Sequence, residues 1–250
     1  MLIPKIIHQS ARSTNLPACV RDNIKSIKKL NPDWDYRLYD DARIKEYIRS
    51  HFDIKMLRLY ERINPVYGAA RADFFRYLLM FREGGLWLDL KSSVVRRLDE
   101  SIKSSDTIIF SQWENRIGEL YPGAGYPDPL IREVPGGEIQ QWFILTEPKN
   151  PFIRAVINGC IFQIENYSIE KQGVGALGVF RTTGPTLFTR VVHSHLARYP
   201  CRFVRSFDEL GIKYSFFVDE TKINVADRFA HRNLATETHY SKLREPIILS

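Results

Sequence analysis

Hydrophobic and polar positions along this chain follow two periods. The apolar run Leu2–His8 reads as a buried strand. From Ala18 to Leu30 the residues Cys19, Val20, Ile24, Ile27 and Leu30 recur three and four apart, the spacing of an amphipathic helix. Asp35–Leu38 suggests a second strand, and Asp40-Asp41 a cap for a helix running through Ile48. A long, mostly apolar helix follows Asn64, with Pro65 near its start and Gly84-Gly85 past its end, the usual asymmetry of helix termini. Leu86-Trp87-Leu88 then reads as a short buried strand that leads to Asp89, and Thr107–Gln112 as another. Strands and helices thus alternate over the first 115 residues, which predicts an α/β fold with a mostly parallel central sheet flanked by helices.

The second half is less periodic. Tyr121–Gly137 holds four prolines and four glycines and must be loop. Long loops in compact domains are often lids or binding loops. Trp142–Leu145 reads as a strand, Pro151–Glu165 as a helix, Gly173–Gly178 as a flexible loop and Pro185–Arg198 as a helix. Two short strands are expected around Cys201–Val204 and Tyr214–Val218.

Composition adds bounds rather than identity. A chain of 250 residues with 44% hydrophobic and 26% charged residues can bury a sizeable core and still be one domain. Its net charge of +7 permits a nucleotide diphosphate, a membrane surface or nucleic acid as partner, and equally a plain basic surface. No recognised nucleic-acid-binding module supports the third. Cys19, Cys160 and Cys201 are odd in number and show no metal-like pairing, which reads as free thiols in a reducing compartment. Nothing approaches the roughly 18–20 apolar residues of a membrane span. Pro4, Lys5 and His8 interrupt what a signal peptide would need. The expectation is a cytoplasmic protein, with peripheral membrane contact left open and a trimmed chain as the competing explanation.

The chemistry concentrates around the long helix. Asp73 and Arg76 are three apart and share one helix face. Asp89 and Lys91 are two apart and share one strand face, opposite Leu88 and Leu90. Charged groups on apolar elements are costly to bury unless something uses them. An intrahelical Asp73–Arg76 pair on an exposed face would contribute only about 0.3–0.5 kcal/mol. Asp89, at the carboxyl end of a strand, sits where open α/β sheets place ligands. His193 and His195, at i and i+2, do not share a helix face and make a poor metal pair.

Ala70-Arg71-Ala72-Asp73-Phe74-Phe75-Arg76-Tyr77 and Gly84-Gly85-Leu86-Trp87-Leu88-Asp89-Leu90-Lys91 resemble a known pair of motifs, Ala-x-x-Asp-x-x-Arg-Tyr and Gly-Gly-x-Tyr-x-Asp-x-Asp. These belong to the glycosyltransferases with a DXD sugar-binding motif, a family that includes the yeast initiating mannosyltransferases, bacterial capsule enzymes and, distantly, the clostridial glucosylating toxins. Ile3–Gln9, Asn31–Asp41, Thr183-Gly184-Pro185 and His239-Tyr240 are similar to other family segments. The resemblance implies a single GT-A-type (Rossmann-like) domain over residues 1–250, with 1–115 binding the nucleotide sugar and 116–250 forming the acceptor side and tail. It implies a retaining transfer of a hexose from a UDP- or GDP-sugar to a hydroxyl of a glycan or other acceptor, in a bacterial or viral type of enzyme with a role such as polysaccharide biosynthesis.

The resemblance also assigns residues. Asp89 would meet the ribose and a divalent cation, Mn²⁺ or Mg²⁺, with His239 as second ligand, since such ions favour oxygen and Mn²⁺ tolerates imidazole. Asp73 would bond donor-sugar hydroxyls, and Arg76 would assist it or reach the diphosphate. His8 would line the base pocket, and Gly85 counts with the donor-binding residues. Apart from the resemblance, Gln140 and Gln141, just before Trp142, are candidates for holding the acceptor or donor sugar, or else a polar strand edge, with Gln141 placed in the catalytic set beside Asp89 and Lys91. One departure matters, because Lys91 stands where the family has the second acid. Lys91 either supplies the cation itself or contacts a phosphate or the sugar beside a metal. Two other readings stay open: a non-catalytic nucleotide-sugar- or glycan-binding protein with a degraded site, and a glycoside hydrolase, which needs two carboxylates flanking a cleft.

Overall fold

The computed structural model describes residues 1–115, 118–125, 127–217 and 239–249. The elements are β1 (Ile6–Ser10), α1 (Ala18–Leu30), β2 (Asp35–Tyr39), α2 (Asp41–His51), α3 (Ile54–Arg62), α4 (Gly68–Glu83), β3 (Gly85–Leu88), β4 (Ser93–Val94) and β5 (Ile108–Phe110). They continue with β6 (Phe143–Thr146), α5 (Pro151–Glu165), α6 (Ile169–Gln172), α7 (Gly175–Thr182), α8 (Pro185–His195), β7 (Arg202–Phe203) and β8 (Ile212–Lys213). The main sheet runs in the order β2-β1-β3-β6-β5-β7, with β4 and β8 as a separate antiparallel pair. β2, β1 and β3 pair in parallel, as do β5 and β7, while β6 runs against β3 and β5. The mostly parallel sheet expected from the alternation is therefore present.

Side-chain alternation in the strands separates two apolar layers. Leu86, Leu88, Ile109, Phe143 and Leu145 point to the side that carries Ile27 of α1. Trp87, Ile108, Phe110 and Ile144 point to the other side, toward α4, α5 and α8. α4 is buried nearly all round, with Ala70 and every residue from Asp73 to Met80 inside. Each fully buried Phe or Leu there contributes roughly 1.5–3 kcal/mol. α4 opens at Gly68, past the turn in which the Tyr67 N–H donates to the Asn64 carbonyl at 2.9 Å, so Pro65 lies in that turn rather than in the helix.

The glycine pair after α4 makes the reversal possible. Gly84 has φ of 66° and Gly85 φ of 92°, both in the region that favours glycine. A Cβ at Gly85 would sit 2.5 Å from the Ile6 carbonyl oxygen. Gly85 therefore lets β3 lie tightly against β1, and the expectation that it binds the donor is corrected: it is a packing residue at the end of β3 away from Asp89.

His8 is a second correction. It is fully buried in β1, its Nε2 3.1 Å from the Gly84 carbonyl and its Nδ1 3.3 Å from the Tyr39 hydroxyl. Burial pushes its pKa down to about 4. A ring so enclosed lines no base pocket; it ties β1 to the glycine turn and to β2.

Other elements depart from expectation for local reasons. α3 was not anticipated, although Asp53 caps it by accepting from the Met56 N–H at 3.0 Å. The expected loop Gly173–Gly178 is instead largely α7, where a Cβ on Gly178 would meet the Gly173 oxygen at 2.5 Å and Ile247 at 2.7 Å. Those glycines serve close packing against the C-terminal segment, not flexibility. β7, at Arg202–Phe203, is shorter than expected; Tyr214–Phe217 form no strand, β8 lying just before them at Ile212–Lys213, and Val218 falls outside the described residues. The described part of Tyr121–Gly137 is a loop with one turn of 3-10 helix, Pro129–Ile131. Asp128 anchors it, its side chain wholly buried and accepting from Arg181 at 2.8 and 3.0 Å and from Thr186 at 3.3 Å.

Two stability changes are expected. Folded His8 stays neutral down to about pH 4 while the unfolded residue protonates near its ordinary value of 6.5. Its contribution is thus fully present above pH 6.5 and is lost as pH falls toward 4, by up to about 3 kcal/mol. His8→Gln should flatten this acid limb in denaturant titrations between pH 4 and 7; an unchanged slope would contradict the assignment. Asp128→Ala should lower stability by about 2 kcal/mol through lost charge-assisted bonds, measured by urea unfolding.

Candidate active site

The carboxyl ends of β1 and β3 meet where the chain leaves β1 for β2 on one side and reaches β3 on the other. Such a switch point leaves a crevice in open α/β sheets. β3 ends at Leu88, so Asp89 begins a turn rather than continuing a strand, and Lys91 lies within that turn. The turn is closed by the Ser92 N–H donating to the Asp89 carbonyl at 2.8 Å. Gln9, at the end of β1, donates to the same carbonyl at 3.0 Å, and the Asp89 N–H donates to the Trp142 carbonyl at 2.8 Å. A bond from the Gln9 side chain and a backbone bond to Trp142 thus fix where Asp89 stands.

By strand alternation Asp89 falls on the α4 side, opposite Leu88, and there it meets Arg76. Arg76 Nη2 lies 2.9 Å from Asp73 Oδ1 and 3.4 Å from Asp89 Oδ1. Arg76 Nη1 donates to the Gln141 carbonyl. The guanidinium carbon stands 5.1 Å from the centre of the Trp87 ring, a cation–π contact. Trp87 Nε1 also lies 3.4 Å from Asp89 Oδ1. Arg76 is 6% exposed in its side chain and Asp73 5%, whereas Asp89 reaches 26% and forms the open end of the chain of charges.

Asp73 is enclosed. Besides Arg76 it accepts from Gln141 Nε2 at 3.4 Å and from Thr183 Oγ1 at 3.2 Å. Burial raises its pKa to about 7, against the opposing pull of Arg76 and these two bonds. Gln141 is held by the Tyr77 hydroxyl, which donates to its Oε1 and lies 2.9 Å from the Thr183 carbonyl. Gln140 points elsewhere, donating to the Gln112 carbonyl at 3.1 Å.

Lys91 faces the other oxygen of Asp89. Its Nζ is 3.8 Å from Asp89 Oδ2, 2.9 Å from the Tyr214 hydroxyl and 4.1 Å from the centre of the Tyr214 ring. His239 Nδ1 is engaged in its own turn with Ser241, 2.8 Å from Oγ. Glu237 and Thr238 of that tail fall outside the described residues. The Tyr240 ring lies 6.4 Å from that of Phe180. The structure therefore brings together Asp73, Arg76, Asp89, Lys91 and Gln141, and leaves His8 and Gly85 apart. Among the described residues no group of three or more His, Cys, Asp or Glu side chains is placed to hold a metal ion. The side chains around Asp89 also fit a divalent ion poorly, because each of its oxygens already faces a cationic side chain.

Four participants were not read as site residues from the sequence. Trp87 and Tyr77 lie inside the quoted motifs, so their position was available though their roles were not. Thr183 stood only in a similar segment. Tyr214, 123 residues from Lys91, had no signal at all.

Residues 17–109 match the family described as a glycosyltransferase sugar-binding region containing a DXD motif. Inositol phosphoceramide mannosyltransferase 3 of Schizosaccharomyces pombe is 35% identical over 97 residues, covering 39% of this chain and 26% of the relative. The initiation-specific alpha-1,6-mannosyltransferase of Candida albicans is 26% identical over 187 residues, covering 66% of this chain and 45% of the relative. This chain spans from about a quarter to under half of the length of these relatives. Among solved structures, the PaToxG glycosyltransferase superposes with a TM-score of 0.55 at 17% identity, covering 78% of this chain and 70% of that one, a likeness of fold. The segment that carries Asp73, Arg76 and Asp89 thus matches the DXD-motif glycosyltransferase sugar-binding region, and the α/β domain around it shares the fold of a solved glycosyltransferase domain.

Proposed function

We propose that this protein is a retaining glycosyltransferase that moves a hexose from a UDP- or GDP-sugar onto a hydroxyl of a glycan or other acceptor. The observation that carries this reading is the Asp73–Arg76–Asp89 chain of ion pairs at the carboxyl ends of β1 and β3, opening at Asp89. A buried arginine between two carboxylates is weakly stabilising at best. Its position at a switch point is where α/β sheets take nucleotides. The relatives' names as mannosyltransferases make mannose the first hexose to test. The three cysteines, none in a disulfide, suit a reducing, cytoplasmic setting.

In this reading Asp89 takes hydroxyls of the donor at the mouth of the crevice. Arg76 and Lys91 offer fixed positive charge to the departing diphosphate, which is where negative charge develops. Asp73 and Gln141 hold Arg76 in place from beneath; with both its oxygens engaged, Asp73 positions the guanidinium rather than meeting the sugar directly. Retention is what the family resemblance implies; because the enclosed Asp73 is a poor covalent nucleophile, retention would proceed by attack from the face the diphosphate leaves. The loop anchored by Asp128 supplies part of the acceptor side. Among the described residues no set of ligands for the divalent cation expected at Asp89 and His239 is found, and no step is assigned to it.

The test is a panel of UDP- and GDP-hexoses, GDP-mannose included, read by thermal shift and by release of the nucleoside diphosphate. A donor at 100 times its dissociation constant adds about 2.7 kcal/mol, several degrees for a chain of this size. Asp89→Ala should cut release by about 100-fold or more and leave the melting temperature near that of the wild type. Donor binding without release would favour a non-catalytic binding protein. Full activity in Asp89→Ala would remove the site assignment.

A further inference from the structure

We propose that Lys91 takes the place of a divalent cation, so that this site binds and releases a nucleoside diphosphate without metal; the inference rests on the glycosyltransferase reading above. Lys91 is not a loose surface lysine. Its ammonium is bonded to the Tyr214 hydroxyl at 2.9 Å and sits 4.1 Å from the centre of that ring. The turn that carries it is clamped to the same segment, with Ser92 Oγ donating to the Tyr214 carbonyl at 2.7 Å and the Phe216 N–H donating to the Lys91 carbonyl at 3.0 Å. A charge fixed in this way needs no reorganisation when the diphosphate departs.

Lys91 and Arg76 flank the two oxygens of Asp89 at 3.8 and 3.4 Å, and together carry the charge of one divalent ion. A divalent ion bonded to Asp89 Oδ2 at about 2.1 Å would stand within roughly 6 Å of the ammonium and be repelled by it. Arg76 Nε, on the guanidinium that pairs with Asp89, is a buried donor without a partner, and Trp142 Nε1, in the other apolar layer, is a second. The Trp142 carbonyl binds the Asp89 N–H, and its ring lies 5.3 Å from that of Tyr214. Buried N–H groups left open call for acceptor oxygens, which a diphosphate has in number.

In the transfer, the bond between sugar C1 and the diphosphate oxygen breaks and a bond from C1 to the acceptor hydroxyl oxygen forms. The hydroxyl proton passes to the departing diphosphate. Lys91 keeps its own proton and neutralises the charge left on the phosphate oxygens.

The experiment is calorimetric titration of the full chain with UDP and with GDP, in EDTA and in MnCl₂. The wild type should bind one of them with affinities that agree within about twofold in the two media. Lys91→Ala and Lys91→Met should weaken binding by about tenfold or more in EDTA, with melting temperatures near that of the wild type; the methionine keeps an aliphatic stem over Tyr214. Lys91→Asp, which restores the second acid, should bind weakly in EDTA and recover by about tenfold or more with Mn²⁺. Wild-type binding that needs Mn²⁺, or Lys91 variants that bind as the wild type does, would overturn the inference and leave the glycosyltransferase reading standing. Failure of both nucleotides to bind in either medium would overturn the two together.

Discussion

Arg76 is the constraint around which this structure is arranged. A guanidinium cannot lose its charge, so once buried it must be surrounded by acceptors. Here the acceptors come from three elements: Asp73 one turn earlier on α4, Asp89 at the end of β3, and the Gln141 carbonyl ahead of β6. The indole of Trp87 covers one face. Satisfying one side chain therefore fixes the depth of α4 against the sheet and the register in which β3 and β6 approach it. The glycine pair then follows from length. From Arg76 to Glu83 the helix descends about 10 Å, and from Gly85 to Asp89 the strand climbs back about 13 Å. The acid returns level with the base only if the chain reverses at once, which the positive φ angles of Gly84 and Gly85 allow.

The same burial divides the work of the two acids. Asp73 is walled in by Arg76, Gln141 and Thr183, and burial lifts its pKa to about 7. Asp89 stands at the mouth with the greater exposure. One carboxylate is thus suited to hold the arginine and the other to meet what enters the crevice, although both read as equivalent charged positions in a motif. The Tyr77 hydroxyl extends the arrangement by joining Gln141 to the Thr183 carbonyl, which ties the head of α8 to the site.

Much of this was legible in the sequence where a period or a cap spoke for it. α1 and α5 begin and end where the sequence reading places them, at Ala18–Leu30 and Pro151–Glu165. The shared face of Asp73 and Arg76 was legible from helical spacing; their meeting with Asp89 depends also on the glycine reversal and on the bonds that hold the turn after β3. His8 was misread because a histidine after an apolar strand looks the same whether it bonds the Gly84 carbonyl or a ligand. Gly85 and the glycines of α7 were misread for a related reason: sequence shows that glycine is present, but not whether it serves freedom or the close approach of another backbone. β4 and β8 are two residues each and exist only as partners, so no local pattern announces them.

That small pair carries more weight than its length suggests. Ser93 pairs with Lys213 and Val94 with Ile212, and this register delivers Tyr214 to the turn after β3. There it meets Lys91 through both its hydroxyl and its ring. A lysine at the second-acid position would by itself read as damage to a DXD site. With its ammonium anchored beside Asp89, and with Arg76 on the opposite oxygen, the substitution instead has a supporting structure built for it from a distant part of the chain. The pairing of Lys91 with Tyr214 is therefore the feature on which the proposal of a metal-free site rests.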